Sequence, residues 1–201
     1  MKTSNSIKNQ IDNFKKQSLK KEKKYNQKSN YGWILQITVL AFIISLTFSF
    51  TSENVIPNVN LFIGIILVIL FIAIGVLFDM IGIAVATADE KPFHSMSAQK
   101  VRGANVAVIF KKNAAKVSSF CNDVIGDICG IISGSAGVII AKTIAKQFNI
   151  DIMLTTLLIT ALIASLTIGG KAMGKGIAIK KRNIILYEFA KVVSFFYNGK
   201  K

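Results

Sequence analysis

Long apolar runs alternate along this chain with polar, lysine-rich stretches. The first run, Trp33–Phe50, is about as long as one membrane crossing, and Tyr31 and Trp33 stand where an interfacial aromatic belt belongs. The polar stretch Thr51–Asn60 follows, with Pro57 and a single charge, Glu53, and reads as a short loop. A second run extends from Leu61 to about Ala88. At about 1.5 Å per residue it exceeds the hydrocarbon thickness, so it is expected to tilt, kink or leave the membrane near its end, where Asp79 and Gly82 lie.

Asp89–Ser118 is basic and amphipathic, with an apolar patch at Val106–Phe110, and is expected to form one or two helices on the inner leaflet. Ser119 to about Ile144 is the third span, Lys146–Asp151 a short outer loop, and Ile152–Ile168 the fourth span. A glycine-rich stretch, Gly169–Gly176, lies at the inner end of that span, and Ile184–Tyr197 is too short to cross and reads as interfacial. The expected architecture is an all-α integral membrane protein with four transmembrane helices plus amphipathic juxtamembrane helices. It divides into a basic arm (1–31), an extra N-terminal helix with its outer loop (32–60) and a three-span membrane domain with a terminal interfacial helix (61–201).

Composition agrees, since 52% of the 201 residues are hydrophobic and the mean hydropathy is +0.50. The net charge of +15 raises the question of nucleic acid, but basic and aromatic residues are not interleaved, so no nucleic-acid partner is expected. The charges instead sort by side. The arm, the 89–118 stretch and the 171–201 tail hold 9, 6 and 8 of the 25 basic residues, and Lys142 and Lys146 are the two left for the outside. The positive-inside rule then places both termini in the cytoplasm of a multi-pass plasma-membrane protein. The 31 residues before the first run are too long for a signal-peptide n-region, and no clear small-x-small site follows the run, so it is expected to be retained. In the arm, Ile7, Ile11 and Phe14 share a helical face that would suit anionic lipid. A solvated topology signal explains the same lysines.

The third run opens unlike a lipid-facing helix: SFCNDVIGDICGIISGSAG carries Asn122 and two carboxylates, Asp123 and Asp127, one turn apart on one face. Gly126, Gly130 and Gly134 form a small-xxx-small ladder suited to close helix packing, and a homodimer is expected through this span and the fourth. Ionisable groups in a span are costly and usually face a protein interior or water, which makes the aspartates candidates for a cation or proton site. The alternative is that they cap the start of the helix at the inner interface. Asp79 is a candidate by depth, with a kink residue or a lysine-paired carboxylate as the plainer reading. Lys171 and Lys175 are its natural partners, as gate or internal counter-ion, unless they snorkel to water. His94 stands alone in a basic stretch and reads as solvated. Cys121 and Cys129, eight residues apart, read as reduced packing residues. No Ser/His/Asp set and no phosphate-binding glycine motif occurs, which argues against an enzyme.

From about Ile74 to Phe196 the order FDMIGIAVATAD, KKNAAKVSSF, CNDVIGDICG and IGGKAMGKGIAIKKRN resembles the transmembrane domain of the CorB/CorC (cyclin-M, CNNM) magnesium transporter family. The resemblance implies three spans with inner-surface helices, a terminal amphipathic helix and magnesium, Mg2+, as the ion. Asn122 matches the family's asparagine opening its second span, and Gly170 and Lys175 match the motif ending its third. The family's Ser-x-Ser-Glu stretch falls on Asp79–Gly82, its motif glutamate becomes Lys171 and its proline becomes Gly174. On one reading the ligand set is rearranged, with Asp79, Asn122, Asp123 and Asp127 supplying oxygens; on the alternative, Lys171 puts a fixed cation where the metal would sit. The expected function is a divalent-cation transporter-like membrane protein. The rival is a non-transporting membrane interaction or regulatory protein that keeps the fold and has lost the ion site.

Overall fold

The computed structural model describes residues 31–197, which are helical with no strand among them. The readings placed on the basic arm up to residue 30, and on Lys200 and Lys201, lie outside these residues. The chain divides into two compact units, Met1–Val39 and Leu40–Lys201; the described part of the first is the opening of helix α1 (Tyr31–Val55). Four helical stretches, Gly32–Val55, Leu61–Thr87, Ala114–Phe148 and Ile152–Lys180, are long and apolar enough to cross a membrane. The protein is an all-α membrane protein.

Several boundaries differ from those read in the sequence. Helix α1 runs past Phe50 into the expected loop and ends in a short 3₁₀ turn, Ile56–Asn58. Its polar residues tolerate the helix because they bond to it: Thr51 Oγ1 donates to the Thr47 carbonyl (2.8 Å) and Asn54 Nδ2 to the Phe50 carbonyl (2.7 Å). Helix α2 (Leu61–Thr87) is unbroken at Asp79 and Gly82. The basic stretch holds two helices, α3 (Lys91–Ala98) and α4 (Ala104–Lys112). The third span starts earlier than Ser119: α5 (Ala114–Ser119), a π-helical segment (Phe120–Gly126) and α6 (Asp127–Phe148) follow one another without a gap. The break comes at Asn113, whose side-chain amide donates to the Ile109 carbonyl (3.1 Å) and closes α4. At the far end α6 continues to Phe148, past the expected Ile144. Asn149, at φ +53°, then turns the chain, and the Asp151 side chain accepts the Leu154 amide (2.8 Å) to start the next helix.

That helix, α7 (Ile152–Lys180), passes straight through the glycine-rich stretch. Gly170 and Gly174 serve packing: a β-carbon on them would lie 2.9 Å from Val76 Cγ2 and 2.8 Å from Met80 Cγ, on either side of Asp79 along α2. Tertiary contact thus overrides the low helix propensity of glycine. After the single residue Lys181 comes α8 (Arg182–Tyr197).

Helices α2, α6 and α7 pack against one another. The third span is central and is far more buried than the α2 and α7 spans. Val68, Ala136, Ile140 and Ile163 form the core among them. A second core, including Val85, Phe93, Ala107, Val108, Leu186 and Ala190, joins the end of α2 to α3, α4 and α8. Polar contacts fix this layer. Lys111 Nζ donates to the Val85 (3.0 Å) and Ala86 (3.2 Å) carbonyls, closing the C-terminus of α2 with a cation where the helix dipole favours one. Arg182 Nη2 donates to Asp89 Oδ2 (2.8 Å), and the Asp89 amide donates to Asn183 Oδ1 (3.0 Å), so the corner after α2 is latched to the start of α8. The Arg182 hydrogen bond and charge hold the Asp89 carboxyl below its usual range. The latch therefore keeps its full strength above ordinary carboxylate pKa values and is lost only as pH falls through the lowered one.

Candidate functional site

Three helices bring the polar residues of the spans together at the end where α2 and α7 finish and the third span begins. Helix α2 supplies Asp79 and, one turn on, Gly82. The π segment supplies Asn122 and Asp123, the first residue of α6 is Asp127, and α7 supplies Lys171 and Lys175.

Gly82 is what lets Asn122 in. A β-carbon at position 82 would lie 1.9 Å from Asn122 Oδ1 and 2.6 Å from its Cγ, so the amide lies directly on the α2 backbone. Asn122 Oδ1 is buried there and receives no hydrogen bond. A buried acceptor without a donor costs free energy and calls for an explanation. It sits in a π-helical stretch, a local widening of the helix that is common at functional sites.

The carboxylates have separate partners. Asp123 accepts a short hydrogen bond from Ser119 Oγ, one turn back. Asp127 Oδ1 accepts from Lys171 Nζ at 2.9 Å, in an ion pair whose side chains are 63% and 25% exposed, respectively. The pair therefore lies at the surface of the bundle, outside its dry core. Asp79 is half-buried, with Lys171, Asp127, Asp123 and Lys175 within electrostatic reach. Neither Asp123 nor Asp127 caps a helix start, since the helical path begins at Ala114 and runs through both. Lys175 is exposed and belongs to no ion pair among the described residues.

Neither family models nor curated proteins nor solved structures match the chain.

The structure thus gathers Asp79, Asn122, Asp123, Asp127 and Lys171 into one region. It does not close them into a ready-made metal cage: among the described residues no three His, Cys, Asp or Glu side chains are grouped so that they could hold a metal ion. In the glycine ladder only Gly126 packs against another helix, with its β-carbon position 3.6 Å from the Gly75 carbonyl oxygen and 3.8 Å from Asp79 Oδ1; Gly130 and Gly134 face open space. Cys121 and Cys129 are free and buried, as their spacing implied. His94 is exposed and lies 2.9 Å from Glu90, one turn away. Sequence reasoning missed Gly82 as the seat of Asn122 and Ser119 as the partner of Asp123. A serine one turn before an aspartate was a usable signal for the second. Nothing in the local sequence marks the π segment.

Proposed function

We propose that the chain is a transporter-like membrane protein that handles divalent cations, magnesium first, at this acidic site, and that Lys171 is the site's resident counter-ion. The observation that carries the reading is the position of Lys171 Nζ: it bonds to Asp127 and lies within electrostatic reach of Asp79. An ammonium bonded to one carboxylate, with Asp79 and Asp123 on the neighbouring elements, occupies the kind of place a hydrated cation would take. Magnesium keeps several of its waters and asks for only one or two carboxylates, so three clustered protein ligands are not required. As the ion arrives, Lys171 gives up Asp127 and swings toward the exposed side of its helix, because two cations will not share the site. The resemblance to CorB/CorC transmembrane domains points the same way, as do the charge asymmetry that orients both termini to the cytoplasm and the open Gly130–Gly134 face, which suits a homodimer in the plasma membrane.

The Lys171–Asp127 bond also favours a second reading, in which a permanent ion pair closes the site and the protein acts as a membrane interaction or regulatory subunit. Magnesium flux into liposomes holding the purified protein and an entrapped magnesium dye separates the two. We expect flux from the wild type and none from Asp79→Asn. A well-folded wild type that moves no magnesium would overturn the transport reading and leave the second.

A further inference from the structure

We propose that the corner between α7 and α8 is a binding site for the headgroup of an anionic phospholipid. An open cleft of about 520 Å³ lies there, lined by Ile179, Lys180, Lys181, Arg182, Asn183 and Ile184. Three consecutive basic residues and an amide face one small space, and a single residue, Lys181, joins the two helices.

Two of these side chains are held in place. Arg182 bonds to Asp89, and Asn183 receives the Asp89 amide, so that wall is ordered before any ligand arrives. The other two are free to bind: Lys180 and Lys181 are exposed and take part in no ion pair or side-chain hydrogen bond among the described residues. Lysines often close a helix C-terminus by donating to its last carbonyls, as Lys111 does on α2, but these two make no such bond.

The apolar walls choose between a lipid and a small anion. Ile177 and Ile179 on α7 and Ile184 on α8 are exposed beside the basic groups, 48%, 44% and 62%. They continue the apolar surface of the α7 span toward the cleft. A helix of 29 residues, at about 1.5 Å each, outreaches the hydrocarbon, so its lysine-bearing end emerges at headgroup level. An anionic phospholipid matches both parts, with its phosphate at Lys180 and Lys181 and an acyl chain along the isoleucines. The inference rests on the inner-leaflet orientation proposed above and holds whether or not the protein moves an ion.

The test uses the full chain in phosphatidylcholine nanodiscs carrying a minor fraction of acyl-labelled phosphatidylglycerol, and reads enrichment of the label at the protein. Each basic side chain near an anionic surface contributes roughly a factor of five, so Lys180→Gln with Lys181→Gln should weaken enrichment about 25-fold. A charge-matched variant, Lys91→Gln with Lys100→Gln, should keep it. Full enrichment in the first variant, equal loss in the second, or displacement of the lipid by inorganic phosphate alone would each overturn the proposal. The last would leave a simple anion site.

Discussion

Gly82→Ala should destabilise the protein by about 1–3 kcal/mol, the usual cost of overpacking a filled interior. The added methyl group would meet Asn122 Oδ1 at 1.9 Å, Asn122 Cγ at 2.6 Å and the Ser118 carbonyl oxygen at 3.0 Å. The amide can swing away, but the Ser118 carbonyl belongs to the helix backbone and cannot. The substitution therefore pushes the opening of the third span off α2 and moves the one buried amide the site contains. Asn122→Ala removes the first two contacts and leaves the third. A double-mutant cycle followed by melting temperature should show Gly82→Ala costing less in the Asn122→Ala background, with a coupling of about 1 kcal/mol or more. Equal costs in both backgrounds would mean that Asn122 is not seated on Gly82.

Gly103→Ala should be comparably costly, for two independent reasons. Gly103 starts α4 at φ +84°, a conformation in which an L side chain is strained. Its β-carbon would also lie 2.8 Å from Lys191 Cα and 3.1 Å from Lys191 N, both in the backbone of α8. Strain and clash together amount to about 2–4 kcal/mol. The damage should stay local, because Gly103 packs against Lys191 of α8, in the layer of short helices. Limited proteolysis near residues 99–103 should quicken while overall helix content holds. An unchanged cleavage pattern would show that α4 and α8 are not locked at this point.

The spans were legible because a bilayer demands long apolar helices, and that demand overrides nearly everything local. Leu61–Thr87 was recovered within a residue at each end. The glycine-rich stretch misled because Gly170 and Gly174 look like helix breakers until α2 is seen lying against them. Ala114–Ser118 misled because lysine-bearing residues that extend a span into the interface look the same as a separate surface helix. The site was legible in its residue types, since Asp79, Asn122, Asp123, Asp127 and Lys171 are costly in a membrane and so announce themselves. Their pairing was not. That Lys171 takes Asp127 and not Asp79, and that Asp123 turns back to Ser119, depends on the widened π turn and on how closely α7 approaches α2.

Magnesium titration of the purified wild type beside Lys171→Gln tests the central claim, that a lysine stands in for the ion at an acidic site, most directly. The glutamine variant removes the charge with a polar side chain one atom shorter, leaving Asp127 without its bonded cation. We predict about tenfold tighter magnesium binding in the variant, lost again when Asp79→Asn is added. Binding that is unchanged or weaker in Lys171→Gln would contradict the account and make the ion pair a structural tie between α6 and α7.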